Sequence, residues 1–325
     1  MSNSNFGNSI PGTAVDPKLL NGWGVRGYNW EFSAGVQHEL LPRVAVDAAF
    51  FRRLYGNFVV NNNLALNPSN FSPFSVTAPV DARLPAGGGY VISGLYNVNP
   101  AQFSVPANNY VTLSDTYGNQ TEHWNGADFT VTARPKNLTI SGGVSMGRVT
   151  SNSCALPGQG ASTTSLSGTG LIVIPTANPS TLYCDYTQGL LTQAKVVAVY
   201  TLERPGVQIS GSYQSVPGSE IAANYVATNA VVQPSLGRPL SGGAANVTVN
   251  LVEPGTMYGA RQNNLDLRVS KILTFGRTRS TVGLDILNVF NSATILSQSS
   301  AYATWLAPQS IPQPRAARIG VQVDF

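Results

Sequence analysis

The sequence predicts an all-β protein: an antiparallel transmembrane β-barrel, present in part as about nine strands with short turns at one end and long loops at the other. Three observations predict it. Segments of about ten residues alternate apolar and polar side chains, as a sheet needs when one face meets lipid and the other a lumen. The links between segments run short, long, short, long along the chain, in the manner of barrel turns and loops. The composition suits strands and loops. Charged residues are 10% of the 325-residue chain, against about 25% in an ordinary soluble domain, yet hydrophobic residues reach 42%. The polar remainder is Asn, Ser, Thr, Gln and Gly, largely weak helix formers, and 32 Gly with 21 Pro supply turns.

Residues 1–20 read as a disordered or extracellular-loop lead-in, and residues 21–325 as the barrel portion. The first strand, Tyr28 to Glu39, sets Tyr28, Trp30, Phe32, Ala34 and Val36 against Asn29, Glu31, Ser33, Gly35 and Gln37. Its aromatic end suits an interfacial girdle. After the link Leu41-Pro42-Arg43, a run from Arg43 to Val60 places Val44, Val46, Ala48 and Phe50 opposite Asp47, then loses regularity at Phe51, Arg52 and Arg53. An Asn-, Pro- and Gly-rich stretch to about Gly118 reads as loop. Trp124 to Arg134 sets Phe129, Val131 and Ala133 against Asp128, Thr130, Thr132 and Arg134. Within it, Asn125-Gly126 reads as a strand start with a bulge rather than a hairpin turn. Pro135-Lys136-Asn137 leads to Leu138 to Gly147, where Leu138, Ile140, Val144 and Met146 alternate with Thr139, Ser141, Gly143 and Ser145.

A loop bearing Cys154 and Cys184 follows. Gln193 to Leu202 is mostly apolar, with weaker alternation. The link Glu203-Arg204-Pro205-Gly206 is short, and Val207 to Gln214 alternates cleanly. After a loop to about Gly259, Asn264 to Leu273 opposes Leu265, Leu267 and Val269 to Asp266 and Arg268. A turn at Phe275-Gly276-Arg277 leads to Thr281 to Asn288, with Asp285 on the polar face. The last run, Arg318 to Phe325, puts Ile319, Val321, Val323 and Phe325 on the apolar face. The odd count, and a first strand that begins on the loop side, lead to the expectation that N-terminal strands are missing.

The net charge of +4 is scattered, with no cluster of like charges, so nucleic-acid binding is not expected. Cys154 and Cys184 are spaced like a loop staple and unlike a metal site; two unrelated thiols are the alternative. No apolar run approaches the ~20 residues of a membrane helix. Met1 to Pro11 lacks a basic region followed by an apolar one, so no signal peptide is expected. His38 and His123 have no third ligand at metal spacing, and no cofactor is expected. Gly143-Val144-Ser145-Met146-Gly147 matches G-x-S-x-G, but a nucleophile elbow needs a strand, a sharp turn and a helix. Here the motif lies inside an alternating strand, where glycines suit a wall that something packs against closely. No enzyme is expected. Glu31, Asp128, Arg134, Asp266, Arg268 and Asp285 are candidate lumen-facing residues, since a charge toward lipid costs about 2–4 kcal/mol at the midplane.

Several stretches, taken in order, are similar to one family. They are Gly27-Tyr28-Asn29-Trp30-Glu31-Phe32-Ser33-Ala34-Gly35-Val36-Gln37, Phe51-Arg52-Arg53-Leu54-Tyr55-Gly56-Asn57-Phe58, and Tyr117-Gly118-Asn119-Gln120-Thr121 with Trp124-Asn125-Gly126. Then come Leu236-Gly237-Arg238-Pro239-Leu240, Leu251-Val252-Glu253-Pro254-Gly255-Thr256 and Asp285-Ile286-Leu287-Asn288-Val289-Phe290-Asn291. From about Leu20 onward the chain resembles the C-terminal barrel of TonB-dependent receptors of the Oar-like group. The resemblance implies a barrel in the outer membrane of a Gram-negative-type bacterium, import of a bulky ligand, and energy from the inner-membrane TonB complex. Its partners would be outer-membrane lipid, the remaining strands and a plug domain. The terminal strand, with Ile319, Val321, Val323 and Phe325, would be the signal read by the barrel-assembly machinery. The sequence shows no TonB box, plug or N-terminal regulatory-like domain, so a fragment not competent for transport alone is expected. A secreted, soluble all-β binding module, an adhesin or carbohydrate binder, is the alternative.

Overall fold

The computed structural model describes residues 13–156, 172–174, 177–276 and 278–324. Among them, nine long strands form one open antiparallel sheet in which each pairs with its neighbour in sequence. They are β1 (Tyr28–Leu41), β2 (Val44–Gly56), β3 (Thr121–Ala133), β4 (Leu138–Asn152), β5 (Leu191–Leu202), β6 (Val207–Val216), β7 (Gln262–Phe275), β8 (Thr278–Leu287) and β9 (Ala316–Asp324). A short strand, Asp185–Thr187, lies beside the loop end of β4. Links within the pairs β1–β2, β3–β4, β5–β6 and β7–β8 are tight. In the first of these turns Pro42 presets φ and Arg43 takes φ 68, the arrangement of a type II turn. The Arg43 N–H donates back to the Glu39 carboxylate at 2.8 Å, which closes the turn. Links between the pairs are long and lie at the other end.

Directly opposed residues share a face, so the register sorts the side chains. Leu41, Val44, Ala133, Ile140, Ala198, Gly211, Leu267, Ile286 and Ala317 form an unbroken apolar row through all nine strands. One residue over, Glu39, Ala45, Thr132, Ser141, Val197, Ser212 and Asp266 form a largely polar row on the opposite face. The apolar face is bare: Val36 is 69% exposed, Ile319 77% and Val321 66%. A soluble protein would cover so large a surface. The sheet is therefore a partial antiparallel barrel wall of the membrane type, with one face for lipid and one for a lumen. No helix among the described residues is long and apolar enough to cross a membrane.

The main buried core lies outside this sheet. Phe74, Val76, Leu84 and Ile92 from the β2–β3 link pack with Val232, Leu240, Leu251 and Val252 from the β6–β7 link and Trp305 from the β8–β9 link. Two hairpins, Phe71–Thr77 with Val91–Val98 and Asn224–Thr228 with Asn246–Asn250, frame this layer. The helix Asn229–Leu236 sits between the strands of the second. The long links are thus a packed cap, not the irregular loops that their Asn, Pro and Gly content predicts. The reason is that apolar residues from three distant links bury one another, which satisfies each without local periodicity.

Two local expectations change. The run predicted from Arg43 to Val60 is two elements: β2 ends at Gly56, Asn57 turns the chain at φ 55, and Val59–Asn63 is a short cap strand. Within β2 the register stays regular through Arg52 and Arg53, which oppose Phe32 and Glu31. β3 begins at Thr121 and carries no bulge at Asn125-Gly126; these residues pair in register with Arg148 and Gly147. Of the lead-in, Thr13–Val15 pairs in parallel with Asn109–Leu113, and Leu19 is buried. Residues 1–12 and Phe325 lie outside the described residues.

Candidate functional site

The predicted inward charges share the polar face but do not converge on one point. On β1, Glu31 accepts from Nε of Arg53 on β2 at 2.8 Å. On β3, Asp128 accepts from the hydroxyl of Ser145, its directly opposed neighbour on β4. On β7, Asp266 accepts from the Asn288 N–H at 2.7 Å and from the Asn264 side chain at 3.2 Å. Arg134 follows β3 at the turn end, where its N–H donates to the Arg43 carbonyl. It lines a hollow of about 780 Å³ with Gln37, Glu39, Arg43 and Asp47.

The densest charge lies across β7, β8 and β9. Asp285 sits between two guanidiniums. Arg318 donates from Nε at 2.9 Å and lies 2.8 Å away through Nη2, while Nη1 of Arg268 is 3.4 Å from the other oxygen. Asp285 is buried while both arginines reach solvent. Gly283 makes the room, since a Cβ there would lie 2.9 Å from the Arg268 guanidinium. Alternation put Arg318 on this face, but only the strand register identifies it as a partner of Asp285.

The G-x-S-x-G stretch has a wall role. Ser145 donates to Asp128 from within β4, so it sits inside a strand and not on a strand-to-helix elbow. Both histidines point to the opposite, apolar face: His38 opposes Val46 and His123 opposes Leu54. A Ser–His relay cannot form through the sheet. What packs against Gly147 of this stretch is Trp124, while Gly143 lies against Phe129 and Thr130 of β3. The indole lies over Gly126 and Gly147, where a Cβ on Gly147 would stand 2.6 Å from the ring. Beside this aromatic floor, a hollow of about 510 Å³ runs over β3 to β6, lined by Asp128, Thr130, Ser145, Lys195, Ser212 and Gln214. These hydroxyls, amides and charges suit a wetted path or a hydrophilic ligand. Among the described residues no group of three His, Cys, Asp or Glu could hold a metal ion.

The cap is fastened to itself by side chains the sequence left unassigned. Arg238 donates to Asn97 Oδ1 at 2.6 Å and to the Val98 carbonyl at 3.1 Å, clamping the β6–β7 link to the β2–β3 link. Gly237, at φ 78, ends the helix just before it and turns Arg238 toward these acceptors. Asp81 takes Arg83 Nη2 at 2.7 Å and the Tyr302 hydroxyl at 3.0 Å, and the Arg83 guanidinium lies 5.5 Å over the Trp305 ring. The Arg83 side chain, then its backbone N–H, hold Asp81 well below the usual carboxylate range, against an opposing effect of burial. Cys154 and Cys184 are joined by a disulfide, with Cα atoms 4.8 Å apart. The bond staples the link that follows β4. Ile319, Val321 and Val323 occupy the apolar face of β9, opposite Leu284, Val282 and Ser280.

No family model matches the chain, and no curated protein does. Among solved structures, that of the outer membrane transporter YddB from Escherichia coli is similar, with a TM-score of 0.45 and 13% sequence identity over 96% of this chain and 34% of that one. The chain spans about a third of the length of that structure.

Proposed function

We propose that the chain forms part of the wall and the outer cap of a transport barrel in the outer membrane of a Gram-negative-type bacterium. The observation that carries this is the apolar row through all nine strands, with bare aliphatic side chains on one face and hydroxyls, amides and paired charges on the other. In this reading the tight turns face the periplasm and the packed cap faces outward, where it captures ligand above the polar trough. The finer proposal is a TonB-dependent receptor of the Oar-like group that imports a bulky ligand. The ordered motifs support it: Leu236–Leu240 and Leu251–Thr256 help build the cap, and Asp285–Asn291 ties the end of β8 to β7 and β9. Energy would come from the TonB complex, a plug and further strands would complete the pore, and β9 would present the signal to the barrel-assembly machinery.

The closing of such a barrel has a geometric requirement. Among the described residues β1 and β9 each have one neighbour in the sheet. Nine alternating strands make these two edges run the same way, so joining them directly would need a parallel pair. An odd number of additional strands between them restores antiparallel pairing all round.

The test is membrane partition of the full chain, exported in a Gram-negative host. It should sediment with outer membranes, resist alkaline extraction and need detergent to stay monodisperse. A detergent-free soluble monomer would instead favour a secreted binding module and overturn the proposal.

A further inference from the structure

β2, β3 and β4 carry three basic side chains on the face that otherwise meets lipid. Arg52 opposes Phe32 on one side and Asn125 on the other, and Asn125 opposes Arg148. One row nearer the cap, His123 lies between Leu54 and Thr150, diagonal to both arginines. Two strand spacings put the Arg52 and Arg148 backbones about 10 Å apart. Both side chains are exposed, and among the described residues neither guanidinium has a carboxylate within ion-pair distance. On the polar face Arg53, Arg268 and Arg318 have one, while Arg134 beside the turn has none among the described residues. The outward cations are therefore not structural ion pairs.

Their height on the wall is specific. Toward the turns, four successive rows on β2–β4 are apolar, from Phe50, Ala127 and Met146 down to Val44, Ala133 and Ile140. Four rows span about 20 Å along the strands, comparable with the ~25 Å apolar band of membrane barrels. On β1, Phe32 opposes Arg52 and Trp30 opposes Leu54 one row nearer the cap, as a girdle does at the border of that band. Charge on the lipid face is tolerated at this border and penalised at the midplane. Two guanidiniums and an amide at the headgroup level, all with donors to spare, match a phosphate: the planar forks pair with its oxygens from either side, and Asn125 lies beneath.

We infer that Arg52 and Arg148, with Asn125 between them and His123 on the cap side, bind the phosphate of an anionic lipid headgroup in the outer leaflet. The inference rests on the membrane-wall reading above. Its test uses the full chain refolded in phosphatidylcholine nanodiscs and titrated with bis-phosphorylated lipid A, with the dephosphorylated lipid and with inorganic phosphate, binding being read by native mass spectrometry. The wild type should prefer the phosphorylated lipid. R52Q/R148Q should bind it about 30-fold more weakly, from roughly fivefold per guanidinium near a membrane surface. R52K/R148K should retain a larger share, and Lys271→Gln, on the same face at the turn end, should change nothing. Heat-modifiable migration on gels verifies that each variant is folded. Equal binding by the wild type and R52Q/R148Q overturns the inference and leaves the wall reading standing. Inorganic phosphate competing as well as the lipid overturns the lipid assignment. A wild-type chain that does not enter the bilayer overturns the wall reading, and this inference with it.

Discussion

Among single residues, Asp285 holds the most charge together. It is buried, accepts from Arg318 and lies within ion-pair distance of Arg268. Asp285→Asn would leave two guanidiniums facing each other with no counter-charge. Stripping one partner from a buried pair costs about 3–5 kcal/mol. Here the two arginines are 38% and 67% exposed, so water screens what remains, and the expected loss is about 1–2 kcal/mol. Arg318→Gln should cost less, because Arg268 still faces the carboxylate. Urea midpoints of the refolded chain measure both; an Arg318→Gln loss larger than that of Asp285→Asn would mean that the carboxylate is not the organising charge. Trp124 gives a second case at this scale. Gly147→Val must push the indole off its glycine floor, a small-to-large change worth about 1–3 kcal/mol. Its readout is altered tryptophan fluorescence, and unchanged emission and stability would contradict the packing described.

Asp81 makes the stability of the cap depend on pH. Asp81 is held ionised by Arg83 and Tyr302, with its pKa lowered relative to the unfolded chain. The folded state therefore binds this proton less readily than the unfolded state. The stabilisation is fully present above the unfolded value of about 4 and is lost as pH falls below it toward the depressed folded value. Near-UV circular dichroism of buried Trp305 should hold from neutral pH to about 4 and then decline, and Asp81→Asn should flatten that decline. A decline that begins near neutral pH, or that is identical in Asp81→Asn, would assign the transition to another group. The same element marks the limit of what the sequence could reveal. Strand periodicity is local, so β1 through β9 and the face of each candidate charge were legible from alternation. The cap core joins Val76, Val232 and Leu251, which belong to separate links and share no period. Arg53 and Arg318 were visible as residues but not as partners, because pairing requires knowing which strands adjoin and in what register.

At the scale of the whole molecule, the central question is what covers the apolar face. Lipid, a second protein or nothing at all would each respond differently to a charge. Val144 on β4 points outward in the middle of the apolar rows and opposes Phe129 and Ala194. Ser141 on the same strand points to the polar face and opposes Thr132 and Val197. If the outward face meets hydrocarbon, Val144→Arg costs about 2–4 kcal/mol of folding stability in a bilayer. Ser141→Arg, beside a wetted hollow, costs far less. Both add the same side chain to the same strand, so β-propensity and net charge cancel in the comparison and only the face differs. The measurement is the urea dependence of folding into phosphatidylcholine vesicles for the two variants and the wild type. Equal losses would mean that the two faces meet similar surroundings, contrary to a barrel wall. A Val144→Arg chain that gains soluble yield and loses nothing in vesicles would mean that the aliphatic face is covered by protein and not by lipid.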